Sequence, residues 1–206
     1  VKALQTATFN LRHAPKPVVT APHQMALGGG VEMAMAGWEA VADHEVYMGL
    51  VEFGVGLIPA GGGCKELLRR KVNPAMRAPN ADVLPALQEA FEQIAMAKVG
   101  TSAWEAKGMG YLYPDDMIVM NSDHRLARAK QRALQLAAAG ARPPEVEKVY
   151  AAGRDALYAL KLGVRGLLWG GFASEHDAKI AGKLATVLTG GDISAPAWVD
   201  PWYILD

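Results

Sequence analysis

Three consecutive glycines and two glutamates are the residues of this 206-residue chain whose types and spacing could do chemistry. Gly28, Gly29 and Gly30 precede a predicted helix, and Glu32 lies in its first turn. A helix N-terminus presents N–H groups that have no intrahelical acceptor, and it carries partial positive charge. Glycines let a ligand approach that backbone with no side chain in the way. The segment therefore indicates an anion site, including one for an oxyanion that exists only in a transition state.

Other motifs that the glycines suggest are incomplete. The dinucleotide motif G-x-G-x-x-G would need a glycine where Met33 stands. Gly56 and Gly61 have the spacing of a P-loop, but two further glycines follow in place of Lys and Ser or Thr. The sequence contains no G-x-S-x-G motif, and its five histidines have no metal-ligand spacing. These patterns argue against a nucleotide site, a serine nucleophile and a metal site.

Glu52 is predicted to be a second acid of the same site. A helix over 31–42 would run about 18 Å away from the glycines, and a strand over 45–51 would return about 20–23 Å. Because these lengths nearly cancel, Glu52 should lie near Glu32, where two carboxylates could work as an acid and base pair. Its apolar neighbours argue against free solvation, and burial would raise its pKa. The alternative is that Glu32 only complements the helix dipole and Glu52 is a loop acid.

Periodicity and end signals predict the other elements. Helices are predicted over 1–13, 65–70, 81–98, 102–109, 122–139, 154–169 and 174–189, and a further strand over 17–27. Ser174 and Asp177 have the spacing of a capping box. Solvated faces or turns are predicted for the remaining acids, which are Glu39, Glu45, Glu66, Glu105, Asp115 and Asp116. An exposed helix face is predicted for the charged run Lys65, Glu66, Arg69 and Arg70.

Composition limits the classes of partner. Basic and acidic residues balance at 21 each, so no nucleic-acid footprint is indicated. No run of about 18 apolar residues predicts a membrane span, and no signal peptide is recognisable. The single cysteine, Cys64, cannot form an internal disulfide and is typical of a reduced, cytoplasmic protein. The start at Val1 and the abrupt end at Asp206 suggest a piece of a longer protein.

Three segments resemble the crotonase, or enoyl-CoA hydratase/isomerase, superfamily. They are KPVVTAPHQMALGGGVEMAMA, YMGLVEFGVGLIPAGGG and GTSAWEAKGMGYL, and the likeness covers roughly residues 16–113. The resemblance implies an α/β fold with a partial ββα-spiral crotonase core over 1–114 and a helical C-terminal region over 115–206. The segments SEHDAKIAGKLATVLTGGDI and WVDPWYILD look like the end of bacterial β-oxidation proteins. In those proteins an NAD-dependent 3-hydroxyacyl-CoA dehydrogenase precedes the crotonase part.

The resemblance also implies roles for single residues. Gly29 would supply one backbone N–H of the oxyanion hole, and Gly28, Gly30 and Ala60 would belong to the substrate-binding loops. Glu32 would activate water for attack at C3, and Glu52 would give a proton to C2. Where Ala60 stands, the family usually has glycine. The expected substrate is an acyl-CoA thioester, with no covalently bound cofactor and no metal.

Alternatives to a hydratase remain open at the level of sequence. One is an isomerase, and the other is a crotonase-fold scaffold or oligomerisation module without catalysis. The family's second oxyanion donor lies upstream of the segments that match, so the chain alone is expected to be a poor enzyme. Expected partners are further copies of the chain or an upstream dehydrogenase domain, which would be the only part to bind NAD.

Overall fold

Short parallel strands carry both predicted site segments in the computed structural model, which describes residues 1–191 and 193–205. The strands are β1 (Val19–Thr20), β2 (Met25–Leu27), β3 (Glu39–Asp43), β4 (Tyr47–Gly49), β5 (Met117–Val119), β6 (Val149–Ala151) and β7 (Ala197–Val199). β1, β3 and β5 form one parallel sheet in that order, and β2 pairs in parallel with β4. β6 and β7 form an antiparallel pair.

Helices make up most of the remaining regular structure. They are α1 (Lys2–Arg12), α2 (Gly29–Met35), α3 (Gly63–Leu67), α4 (Asn73–Met76), α5 (Leu84–Ala95), α6 (Ala103–Gly108), α7 (Arg125–Ala138), α8 (Gly153–Trp169), α9 (Glu175–Leu188) and α10 (Pro201–Leu205). Two 3₁₀ turns cover Glu52–Val55 and Ser122–His124, and a π-helical turn covers Leu68–Val72. The predicted capping box at Ser174 is confirmed, because Asp177 N donates to its hydroxyl at 3.1 Å.

Packing divides the chain into two compact units that interleave along the sequence. Unit 1 contains residues 1–50, 60–63 and 99–146. Unit 2 contains residues 51–59, 64–98 and the described residues from 147 onward. The predicted division at residue 114, between a truncated crotonase core and a helical C-terminal region, stays a prediction.

The helix predicted over 31–42 is wrong in its second half. α2 ends at Met35, and the next residues turn into β3, whose central residues Ala40, Val41 and Ala42 are at most 4% exposed. A strand that is buried on both faces has a continuous apolar sequence without alternation. Periodicity alone therefore cannot distinguish it from a buried helix. Gly37 makes the turn possible, because a Cβ there would lie 2.8 Å from Glu39 O.

Buried polar side chains hold the strands of unit 1. Asp116, for which a solvated face or a turn was predicted, lies at a turn but is 6% exposed, and it accepts hydrogen bonds from Ala40 N at 2.7 Å and Tyr113 N at 2.6 Å. Arg12, at the end of α1, is also buried and donates to Gly37 O at 2.6 Å. These bonds satisfy groups that would be costly to bury alone, and they fix the sheet against α1.

The charged run over 65–70, in unit 2, is buried, so the prediction of an exposed helix face is wrong. Glu66 is 4% exposed, and its carboxylate accepts from Lys65 Nζ at 2.6 Å, Arg69 Nη2 at 2.6 Å and Arg70 Nε at 3.3 Å. Burial alone would raise the pKa of Glu66, but the charges of Arg69, Lys65 and Arg70 outweigh it and hold that pKa well below the usual range. The cluster lies where α3 passes into the π-helical turn.

Asn73 joins α4 to the antiparallel pair of strands in unit 2. Its amide donates to Lys148 O at 2.8 Å and accepts from Tyr150 N at 2.9 Å, while the residue is 1% exposed. We expect Asn73→Ala to lower the free energy of unfolding by about 2–3 kcal/mol, because it leaves two backbone groups unsatisfied. Urea unfolding of this variant beside Asn10→Ala, a change on the exposed face of α1, measures the loss. Equal midpoints for the two variants would contradict the role of Asn73.

Candidate active site

The Glu32 carboxylate is buried and aligned by a backbone group. Glu32 lies in the first turn of α2, is 4% exposed, and its Oε1 accepts a hydrogen bond from Gly63 N at 2.8 Å. Gly63 is the first residue of α3, so this bond also satisfies an N–H that has no acceptor within its own helix. Glu32 therefore does more than complement the dipole of its own helix.

The first glycine triplet joins strand β2 to helix α2. Gly28 has φ 54°, a left-handed conformation that favours glycine, and its N–H donates to Gly49 O at 2.8 Å. Gly29 and Gly30 follow in the first turn and are exposed. A Cβ built on Gly29 would meet nothing within 4 Å. Open space therefore lies beside the Cα atom of Gly29, and the role of its N–H in an oxyanion hole stays a prediction.

The loop over 60–63 forms the surroundings of the Glu32 carboxylate within unit 1. Ala60 is exposed, and its carbonyl accepts from Gln5 Nε2 at 2.9 Å. Gly61 packs so tightly that a Cβ there would lie 2.6 Å from Leu4 Cδ2 and closer still to Glu32 Oε2. Sequence reasoning named Ala60 but missed Gln5, Gly61 and Gly63. The glycine run 61–63 was a signal for the loop, whereas nothing in the sequence indicated Gln5, because its bond to Ala60 O joins residues 55 positions apart.

Glu52 lies in unit 2, at the start of the 3₁₀ turn Glu52–Val55, and is half-buried. Gly56, in a left-handed conformation with φ 80°, ends that turn. The route predicted for the chain was wrong, since β3 replaces half of the helix and the return strand β4 covers only Tyr47–Gly49. The register of β2 and β4, with Leu27 opposite Gly49, brings the chain back to the glycine triplet instead. The pairing of Glu52 with Glu32 stays a prediction.

A methyl group is expected to be tolerated at one glycine of this site and not at another. Gly61→Ala should lower the free energy of unfolding by about 1–3 kcal/mol, because the added carbon overlaps Leu4 and Glu32. Gly29→Ala should change it by less than about 1 kcal/mol, since open space faces that position. Thermal unfolding of both variants measures the difference, and a reversed order would contradict the packing described for the 60–63 loop.

Metal and membrane sites are not indicated in the parts of the chain that the structure describes. Within residues 1–191 and 193–205, no group of three or more His, Cys, Asp or Glu side chains is arranged to hold a metal ion. No helix among them is long and apolar enough to cross a membrane. Cys64 is buried, and its thiol lies 3.2 Å from Pro59 O.

Comparison with solved structures shows the fold class of the chain. An enoyl-CoA hydratase from Bacillus anthracis superposes with a TM-score of 0.52 at 22% identity, over 89% of this chain and 58% of that one. An enoyl-CoA hydratase from Polaromonas sp. JS666 gives a TM-score of 0.51 at 20% identity, over 91% of this chain and 59% of that one. The predicted α/β crotonase fold is confirmed.

Sequence comparison points to a more particular relative. A probable 3-hydroxyacyl-CoA dehydrogenase of Bacillus subtilis is 45% identical over all 206 residues, and the chain spans 26% of its length. A probable enoyl-CoA hydratase of the same organism is 44% identical over 55 residues, which are 27% of this chain and 21% of that protein. No protein-family model matches the chain. The predicted resemblance to crotonases and to dehydrogenase-linked β-oxidation proteins is confirmed by these similarities.

Proposed function

We propose that the chain is an enoyl-CoA hydratase module of fatty-acid β-oxidation, which adds water across the C2–C3 double bond of an enoyl-CoA thioester. The observation that carries this proposal is the Glu32 carboxylate, 4% exposed and held by Gly63 N–H, one turn of helix from the open backbone of Gly29. A fixed base and an oxyanion donor on one short helix suit the addition of water to an activated double bond.

In the proposed mechanism, Glu32 acts as the general base toward water. An ionised carboxylate can accept about four hydrogen bonds, one of which comes from Gly63 N, and a water molecule is proposed to donate another. Glu32 takes a proton from that water as the oxygen adds to C3. The electron pair of the double bond moves toward the thioester oxygen, and Gly29 N–H stabilises the enolate. Glycine at position 61 is needed here, because a Cβ atom at that position would overlap Glu32 Oε2.

Glu52 is proposed as the acid that gives its proton to C2. Glu52 follows Gly49 by three residues, a stretch that spans at most about 11 Å, and Gly49 is bonded to the glycine triplet through Gly28 N. After both steps Glu32 holds a proton and Glu52 has lost one, so proton exchange with water restores the starting state. Adding water requires both activation and protonation, whereas a 1,3-proton shift can use one base. This difference favours the hydratase over the isomerase.

The proposed substrate is the acyl-CoA thioester itself, and the reaction is proposed to need no further cofactor. The similarity to a probable 3-hydroxyacyl-CoA dehydrogenase supports a full-length protein in which a dehydrogenase oxidises the hydroxyl that hydration creates. NAD would belong to that dehydrogenase. Further copies of the chain or the dehydrogenase domain are the proposed partners.

A hydration assay tests the proposal. The full-length gene product and the 206-residue chain are incubated with a short 2-enoyl-CoA in ¹⁸O-water, and the product is analysed by mass spectrometry. Incorporation of one ¹⁸O at C3 is expected for the full-length gene product, at a much lower rate for the 206-residue chain alone. Conversion of a 3-enoyl-CoA to the 2-enoyl isomer without ¹⁸O would instead support the isomerase. If neither reaction occurs and calorimetric titration with acyl-CoA gives no heat, the non-catalytic scaffold is favoured.

A further inference from the structure

Helix α1 presents two buried polar side chains to the loop over 60–63. Gln5 is 4% exposed and Thr8 is 7% exposed, although both are on a helix whose other face is open to solvent. Gln5 Nε2 donates to Ala60 O at 2.9 Å. Thr8 Oγ1 lies 2.8 Å from Gly61 O, closer than to the carbonyls of its own helix at 3.0 and 3.1 Å. Two consecutive carbonyls of the loop are therefore held by α1.

The same loop holds the Glu32 carboxylate two residues further on. Gly63 N donates to Oε1 at 2.8 Å, and Oε2 occupies the space that a Cβ on Gly61 would need. Both oxygens thus lie beside the segment of four residues, 60–63. Since the carbonyls of Ala60 and Gly61 are bonded to α1, the position of the segment is set by Gln5 and Thr8.

We propose that Gln5 and Thr8 are positioning residues, which fix the Glu32 carboxylate through the 60–63 loop. The catalytic consequence rests on the proposed function, whereas the chain of contacts does not. Neither side chain touches the carboxylate, and each acts through one loop carbonyl. Catalytic groups need a supporting set of hydrogen bonds that holds them within about 0.5 Å of the productive geometry. A misplacement of about 1 Å can reduce rates by about a hundredfold.

Substitutions on α1 test this role with a matched control. Thr8→Val removes the hydroxyl at nearly constant shape, and Thr8→Ser keeps it. Thr6→Val makes the same chemical change at an exposed position of the same helix. Gln5→Met removes the second donor at similar length. The direct readout is NMR of the Gly63 amide, namely its proton shift and its hydrogen-exchange rate, with amides of β3 as reference for global stability.

The expected result distinguishes the variants that lose a donor to the 60–63 loop, Thr8→Val and Gln5→Met, from the two variants that keep both donors. Thr8→Val and Gln5→Met should move the Gly63 proton upfield and speed its exchange about tenfold or more, with β3 exchange unchanged. Both should lower kcat for hydration about five- to tenfold at constant KM, while Thr8→Ser and Thr6→Val stay near the parent values. A parent-like Gly63 amide in Thr8→Val would overturn the proposal, and so would a disturbed amide with parent-like kcat. If the parent protein catalyses no hydration, the proposed function fails, and the Gly63 amide alone decides whether α1 positions Glu32.

Discussion

Glu32→Gln is expected to lower kcat for hydration of an enoyl-CoA thioester by about 10²- to 10⁴-fold, the usual contribution of a positioned acid or base. The amide cannot take a proton from water at neutral pH, but its oxygen can still accept the bond from Gly63 N. The substitution therefore removes the chemistry and preserves the geometry. Steady-state kinetics with a 2-enoyl-CoA measure the loss, and the Gly63 amide signal shows that the loop is unchanged.

Glu52→Gln is expected to have an effect of similar size, because protonation at C2 completes the addition. Glu45→Gln is the control, since Glu45 is exposed and lies in a turn. A full rate in both Glu32→Gln and Glu52→Gln would end the paired-acid mechanism. A loss of hydration in Glu32→Gln alone would contradict the role of Glu52 as the acid that protonates C2.

Glu66→Gln is expected to lower the free energy of unfolding by about 3–5 kcal/mol, which is typical when one partner of a buried ion pair is removed. The substitution leaves Lys65, Arg69 and Arg70 with side chains at most 11% exposed and without the carboxylate that they share. Urea unfolding at pH 7 measures the effect. Glu89→Gln provides the control, because the Glu89 side chain is 63% exposed and its bond to Lys71 should contribute less than about 1 kcal/mol.

The difference in free energy of unfolding between the parent protein and Glu66→Gln is expected to depend on pH in one direction only. The pKa of Glu66 is lowered on folding, so its contribution is complete above the ordinary pKa of about 4.5 and is lost as pH falls through the folded-state value. The stability gap between the parent protein and Glu66→Gln should therefore be constant from pH 7 to about 4.5 and narrow only in stronger acid. A gap that already closes between pH 7 and 5 would contradict the assigned role of the three cations.

Elements with local signals could be predicted from the sequence, and those that depend on distant partners could not. Helix α9 begins at a capping box formed by residues 174 and 177, and α5 follows an apolar period close to 3.6. β3 was missed because its Ala-Val-Ala centre reads as helix unless the flanking strands are known. The burial of the charged run was not predicted, because the three cations that pair with Glu66 are within four residues of it in the sequence. Such spacing is equally typical of a solvated face.

The candidate site was predictable in its residue types and less so in its geometry. The glycine triplet and Glu32 follow one another, so their shared helix start could be read directly from the sequence. The bond from Gly63 to Glu32 joins residues 31 positions apart, and the supports at Gln5 and Thr8 lie more than 50 positions from the carbonyls they hold. No local pattern encodes these contacts, because they arise only when the sheet and α1 are packed together.

The interleaving of the two units has a consequence for the order in which the protein can mature on the ribosome. Unit 1 has all of its residues once position 146 has left the exit tunnel, whereas unit 2 needs the residues from 147 onward. At about 5–20 residues per second, α5 must wait several seconds for its partner α9. During that interval Leu67, Leu87 and Ile94, all fully buried in the finished protein, lack the part of their core that follows residue 146. Nascent-chain binding by holdase chaperones should therefore concentrate on residues 64–98.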